Sequence, residues 1–480
     1  MTPPDGHHAA LGAHRVARPG VNCLAVERAA RADVLMDNAA YFSAVRRALE
    51  GARRSVLIVG WTFDPRMQLE PLNPDDPGEI GPLLKRLSAE RPDLEIRVLA
   101  WDAAAVVSLG KRLMPQRGHL YFACTRVRFA LDNRVPYGAT LHQKLVVVDD
   151  AVAFVSGADF SGNRWDRAEH LDEDAGRRMP GGGLGPPRHT MSLSLTGPVA
   201  RAVGDVARQR WSAVTDEEVP AVEGAAEPVA QGARTLHDVP VALARTVPAD
   251  TPDGEVRENE ALFLDAIAAA RGLIYAESQY LTSTVIRDAL ARRLAEPDGP
   301  EVVLVTAKHA PSAYDRAVMD AQRRGFLAAL RQADAHGRFH AFYPLTRGGT
   351  PISVHSKLMI VDDRFLRIGS SNLANRSLGY DVECDAAVEL DPGDPQEAAV
   401  FEARMRVLAH FLGCAPGEAA RAVRGRGGMG AAIAALDPEG RRLAPLWPVA
   451  RDDRGTSLSK LHLGDPRSAS EAWRPWRRRA

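Results

Sequence analysis

The chain has 480 residues, 45% of them hydrophobic and 25% charged, and its 61 Lys and Arg are matched by 61 Asp and Glu for a formal net charge of zero. That length accommodates two domains or one fused core, the composition excludes a disordered chain, and the charge balance excludes a globally basic nucleic-acid binder, so any basic site is local. Residues 1–22 lack the apolar core of a signal peptide, no run approaches about 18 uninterrupted apolar residues, and Cys23, Cys124, Cys384 and Cys414 show no paired spacing. The expectation is a soluble, cytoplasmic chain with buried free thiols.

In chain order, residues 1–34 read as an N-terminal extension. Residues 41–53 place apolar side chains at i, i+3 and i+4 and predict a helix; residues 55–64 then run from apolar into Trp61, Phe63 and Asp64, as a strand opening onto a site does. Another strand is expected over 95–100. Leu141-His142-Gln143-Lys144 leads through Leu-Val-Val-Val into Asp149-Asp150. Residues 173–189, Gly- and Pro-rich over 180–187, read as a long loop. The Glu-, Pro-, Ala- and Gly-rich stretch 215–240 reads as a linker between a first domain, 35–214, and a second, 241–412.

The second domain repeats the series. A helix is expected over 259–271, a strand from 272 into Glu277-Ser278-Gln279-Tyr280, a strand over 301–306, and then Val354-His355-Ser356-Lys357, Leu-Met-Ile-Val and Asp362-Asp363. Residues 413–480 read as a C-terminal extension whose Arg- and Trp-rich end, 473–480, suits either an anionic lipid surface or plain solvent. Helices alternating with apolar strands predict an α/β fold: two similar domains, each a mixed β-sheet flanked by helices, packed around one central active site.

The duplicated spacing carries the functional reading. Residues i and i+2 of a strand share a face, so His142 and Lys144 project together, as do His355 and Lys357. A neutral imidazole attacks phosphorus, a neighbouring ammonium neutralises the oxygens that gain charge, and a second, protonated imidazole serves the leaving alkoxide. Such a site demands neither a metal nor another cofactor. Asp149 and Asp362 complete the two motifs, but their odd offset turns them away from the histidines and assigns them to the Asp-Asp turn. Downstream, Asp159, Ser370 and Asn372 are candidate phosphate contacts, and Trp61 and Gln279 candidate cleft residues. Asp166 is assigned to orient His142 and Glu383 to orient His355, with Asp381 as the alternative. His170 is a further candidate to reach the site, whereas His189 and His340 read as ordinary core or surface residues.

These blocks resemble the phospholipase D superfamily, whose hallmark is His-x-Lys-x4-Asp present twice. The likeness extends over Trp61 with Phe63-Asp64-Pro65, His142 and Lys144, Arg164-Trp165-Asp166, Thr196-Gly-Pro198, Glu277-Ser-Gln279-Tyr280, His355 and Lys357, and Gly369-Ser-Ser-Asn372 with Arg376-Ser377. The resemblance implies a covalent phosphohistidine, with His142 as nucleophile and His355 as general acid and base. It implies a phosphodiesterase that hydrolyses glycerophospholipids to phosphatidic acid and a head-group alcohol. Transfer to an alcohol, as in cardiolipin synthase relatives, is the alternative; a nuclease is disfavoured by the neutral charge, and an inactive membrane-binding module by the intact motif pair. The implied partners are a phospholipid and the inner membrane face, touched peripherally, with no nucleic acid and a monomer sufficing. Ser156, where a glycine is usual, and Asp159, where the second copy has Asn372, depart from the pattern.

Overall fold

The computed structural model describes residues 15–102, 115–222, 235–249, 251, 254–446 and 464–471. The first half supplies β1 (Ala25–Met36), β2 (Ser55–Gly60), β3 (Glu95–Trp101), β4 (Arg128–Asp132), β5 (Leu145–Val148), β6 (Val152–Ser156), β7 (Arg188–His189) and β8 (Met191–Thr196). The second supplies β9 (Thr235–Val247), β10 (Val256–Arg257), β11 (Leu273–Glu277), β12 (Glu301–Val305), β13 (Phe339–Pro344), β14 (Ser353–Val354), β15 (Leu358–Val361), β16 (Phe365–Gly369), β17 (Glu383–Glu389) and β18 (Leu443–Pro445).

The two halves share one sheet. Its path is β18-β13-β12-β11-β15-β16-β17-β9-β1-β8-β6-β5-β2-β3-β4, with β10 paired to β9. Outward from the central antiparallel pair β1·β9, the order β1-β8-β6-β5-β2-β3-β4 repeats as β9-β17-β16-β15-β11-β12-β13. The duplication in sequence is therefore a duplication in topology, and the fold is mixed α/β with a large sheet flanked by helices.

Apolar strands buried on both faces explain this layering. Along β5, Leu145 and Val147 face one core while Val146 and Val148 face another; along β15, Leu358 and Ile360 share the first of these cores and Met359 and Val361 enter a third. The shared core holds residues of the helices Pro198–Thr215 and Glu397–Leu412. The others lie under Asn38–Gly51 and Ile80–Glu90 in the first half and under Glu258–Ala269, Thr284–Ala295 and Ala321–Ala333 in the second.

The Asp-Asp turns are built alike. Asp149, Asp150, Asp362 and Asp363 all have positive φ, between 51° and 55°, a conformation that Asp tolerates and that tight hairpins require. Asp149 accepts backbone N–H bonds from Arg53, Arg54 and Ser55 at 2.7–2.8 Å, and Asp362 from Arg271, Gly272 and Leu273 at 2.6–2.8 Å. Each carboxylate thus ties its turn to the start of the neighbouring strand, a structural task at the end of its motif. The adjacent aspartates anchor the shared-core helices, Asp150 to Arg208 and Asp363 to Arg404, each at 2.7 Å.

The segment boundaries differ from the expected ones in three places. β1 begins at Ala25, inside the span read as an extension, because its long alternating run pairs on both edges. β9 begins at Thr235, inside the span read as a linker, of which 223–234 lie outside the described residues. Past residue 412 follow the helices Pro416–Arg426 and Met429–Leu436 and then β18, and Asp465 accepts from the backbone of Asn375 and Arg376. The run 473–480 lies outside the described residues. Of the cysteines, Cys23 and Cys384 are buried, but Cys124 is exposed and Cys414 intermediate.

Candidate active site

Each His-x-Lys motif docks on the backbone of the opposite half. His142 N–H donates to Val382 O, and His355 N–H donates to His189 O, both at 2.8 Å. The parallel pairings Leu141↔Val382 and Val354↔His189 set this crossed arrangement. Lys144 Nζ donates to His142 O at 2.8 Å and Lys357 Nζ to His355 O at 2.7 Å, so the ammonium of each motif is held beside its own histidine. Gly157, after β6, permits the approach: a Cβ there would meet His355 O at 2.9 Å and Lys357 Cδ at 3.4 Å.

Glu383, at the start of β17, holds His142 and not His355. His142 Nδ1 lies 2.8 Å from Glu383 Oε2 and 3.0 Å from Oε1. Burial, then Asp381, pushes the Glu383 carboxyl well above its usual range against the pull of Lys144; with Nδ1 engaged by that carboxyl, Nε2 is the nitrogen left to react. The assignment of Asp166 to His142 is therefore corrected: Asp166 bonds His170 Nδ1 at 2.8 Å and the Arg188 N–H at 2.7 Å, because its loop folds back onto β7 and away from β5. Asp381 is likewise occupied, by Arg376 at 2.5 and 2.8 Å and by the Thr140 N–H. The crossed pairings make Thr190 the counterpart of Glu383. Its buried hydroxyl has no hydrogen-bond partner, and Lys357 Nζ lies 3.4 Å from His355 Nδ1.

The surroundings are cationic and largely buried. Burial, followed by the ammonium charges of Lys144 and Lys357, holds His142 well below its ordinary range. Burial, then Lys357, Arg164 and Arg188, does the same to His355. Burial and the charge of Lys144 depress Lys357 strongly, and burial with the Arg164 charge brings Arg188 down to about 9. Asp159 is the counter-charge: burial pushes it up, but Lys144 at 3.6 Å and Arg164 at 3.9 Å outweigh that and hold it below its usual range. A buried group of cations that repel one another is a receptor for an anion, and a phosphodiester supplies one.

The predicted contacts divide on this geometry. Asp159 Oδ1 accepts the Trp61 N–H at 2.8 Å, and Asn372 Oδ1 the Gln279 N–H at 3.2 Å, so these equivalent residues first fix the ends of β2 and β11. Ser370 is spent between strands, its hydroxyl donating to Cys384 O and accepting from Cys384 N–H. The Trp61 ring stacks on Trp101 with centroids 5.9 Å apart. His170 lies apart from the paired motifs, in a buried cluster with Asp37, His189 and His410. His189, read as an ordinary core residue, spans that cluster and Glu277; His340 is partly buried, 3.5 Å from Glu301. Sequence reasoning does not single out Arg164, Arg188 and Thr190 as site residues. Arg164 lies beside Trp165 and Asp166 in a family-like block, but Arg188 and Thr190 follow a Gly-rich loop without any repeat signal.

The sequence profile described as "Cardiolipin synthase, PLD-like domain" matches residues 263–406. Phospholipase D A of Dictyostelium discoideum is 24% identical over 451 residues, covering 78% of this chain and 35% of that protein. Cardiolipin synthase A of Pseudomonas fluorescens (strain SBW25) is 27% identical over 358 residues, covering 73% of this chain and 63% of that protein. Phospholipase D alpha 4 of Arabidopsis thaliana is 24% identical over 447 residues, covering 70% and 58%. The chain thus spans less than two thirds of the length of these relatives. The crystal structure of phosphatidylserine synthase from Haemophilus influenzae Rd KW20 superposes with a TM-score of 0.54 at 14% identity, over 78% of this chain and 86% of that one, a likeness of fold.

Proposed function

Because this chain belongs to the phospholipase D superfamily, we propose that it is a phosphodiesterase of glycerophospholipids working through a phosphohistidine on His142. The observation that carries this reading is the bond between His142 and Glu383 at 2.8 Å, set among lysines that belong to both halves.

The phosphodiester anion offsets the charges of Lys144 and Lys357, which permits His355 to enter the reaction protonated. His142 Nε2 donates its lone pair to phosphorus, the bond to the head-group oxygen breaks, and His355 gives that oxygen its proton. The head-group alcohol leaves. His355, now neutral, takes a proton from water as the water oxygen bonds to phosphorus and the P–Nε2 bond breaks. The products are phosphatidic acid and the alcohol, with both histidines restored.

An alcohol in place of water makes the same site a phosphatidyltransferase. The match to a cardiolipin synthase profile over residues 263–406 favours keeping this second reading. Both motifs lie in one chain, so a monomer suffices. Among the described residues no helix is long and apolar enough to cross a membrane, and we place the reaction at the cytoplasmic membrane surface, reached peripherally. The test is incubation with vesicles of phosphatidylcholine and of phosphatidylglycerol, with and without a primary alcohol. Phosphatidic acid supports hydrolysis, cardiolipin from phosphatidylglycerol supports transfer, and no product from either lipid overturns both.

A further inference from the structure

Away from the paired motifs, four side chains from separate parts of the chain converge. They are Asp37 after β1, His170 in the loop that follows the first motif, His189 in β7 and His410 in the helix Glu397–Leu412. One ligand-capable atom from each lies within 4.8 Å of all the others. Asp37, His170 and His189 are at most 3% exposed, and the His410 side chain is 5% exposed.

Asp37 Oδ2, His170 Nε2 and His410 Nε2 are buried there without a hydrogen-bond partner. A buried polar atom left unpaired costs about 1–3 kcal/mol, so three converging on one place call for a group between them. His170 Nε2 is 3.6 Å from Asp37 Oδ1, and His410 Nε2 is 3.5 Å from Asp37 Oδ2. Ligands bound tetrahedrally at about 2.0–2.1 Å stand about 3.3–3.4 Å apart, close to these separations.

Two of the imidazoles are already oriented as ligands. His170 Nδ1 bonds Asp166 Oδ2 at 2.8 Å, and His189 Nε2 bonds Glu277 Oε2 at 3.0 Å. A carboxylate taking the N–H of one ring nitrogen leaves the lone pair on the other, aimed at the ion. His189 Nδ1 now meets Asp37 Oδ1 at 2.8 Å. His410 also lines a cavity of about 380 Å³ with Met36, Met191, Val407 and Cys414.

We infer that Asp37, His170, His189 and His410 form a structural site for a divalent transition-metal ion of the zinc class. Three imidazoles and one carboxylate are the donors zinc takes, and binding exchanges the proton shared by His189 and Asp37 for bonds to the ion, releasing that proton to solvent. The site joins both halves, and through the bond from His355 N–H to His189 O it braces the segment that carries His355. No step of the phosphoryl chemistry is assigned to the ion.

The test uses the full chain without a metal-binding tag, dialysed against a trace of zinc and assayed for metal by mass spectrometry. About one zinc ion per chain is expected to remain, and cobalt in its place should give the intense visible band of a four-coordinate N/O site. His170→Gln and His410→Gln, checked for fold by circular dichroism, should each lose the ion and the band. X-ray absorption on the unaltered chain covers the case in which a variant fails to fold, and should report at least two imidazoles per metal. A folded unaltered chain that retains no zinc and gives no cobalt band overturns the site, as does undiminished metal in both folded variants or fewer than two imidazoles at the metal.

Discussion

His142 and Glu383 come from opposite halves of the chain, and their side chains meet at 2.8 Å. The arrangement is one-sided, since the position matching Glu383 in the other half holds Thr190. Of the two histidines, His142 is the one whose Nδ1 is held by a carboxyl with Nε2 left free, which supports the proposal that it attacks phosphorus while His355 transfers the proton. Glu383→Gln removes the carboxyl while retaining the shape. It should lower kcat by about 10²–10⁴-fold with little change in KM, as loss of a tautomer-fixing carboxylate does in other histidine sites. A fall in substrate affinity alone, with kcat intact, would contradict the role.

The cations should be costly to the fold and needed for function. Lys357 is fully buried, repelled by Lys144, and held by a bond to His355 O. Lys357→Met keeps the volume and removes the repulsion. Its Tm is expected to match or exceed that of the unaltered chain, while kcat/KM falls by about 10²-fold or more. A large loss of Tm would mean that the ammonium stabilises the empty site.

The sign of the pH dependence follows from His142. Its folded pKa is depressed well below the ordinary value, so between that depressed value and about 6.5 the unfolded chain binds more protons than the folded one. The contribution to stability is complete above about 6.5 and is lost as pH falls toward the folded pKa. Denaturant titrations from pH 7.5 down to about 4.5 should show a shallower decline for His142→Gln than for the unaltered chain. Equal slopes would show that His142 does not titrate abnormally.

Asp149 and Asp362 are predicted to matter for folding alone. Each accepts three backbone N–H bonds, so Asp149→Ala or Asp362→Ala should destabilise by about 2–4 kcal/mol. The protein that remains folded should keep a kcat within a few-fold of the unaltered value. Loss of kcat in a fully folded Asp149→Ala protein would return the aspartate to the chemistry.

How far the sequence reached can be argued from these same residues. The strands were legible because Leu145 to Val148 and Leu358 to Val361 are apolar on both faces, and the Asp-Asp turns because their offset turned them from the histidines. Glu383 is legible as an orienting carboxyl, but its histidine is not: nearness in sequence points to a partner within the same half, whereas the segment before β17 crosses to dock on Leu141. Asp166 is the mirror case, its loop folding onto β7. The fusion into one sheet was hidden as well, because pairing of β1 with β9 depends on how the halves meet. Asp37, His170, His189 and His410 share no spacing at all, and only the fold gathers them.

The central claim is tested most directly by trapping the covalent intermediate. His355→Asn, mixed rapidly with a phospholipid and quenched under alkaline conditions, should carry the phosphatidyl group on the peptide containing His142, and His142→Asn should carry none. A label on His355 of the His142→Asn protein, or no adduct in either variant while the unaltered chain turns over, would contradict the account.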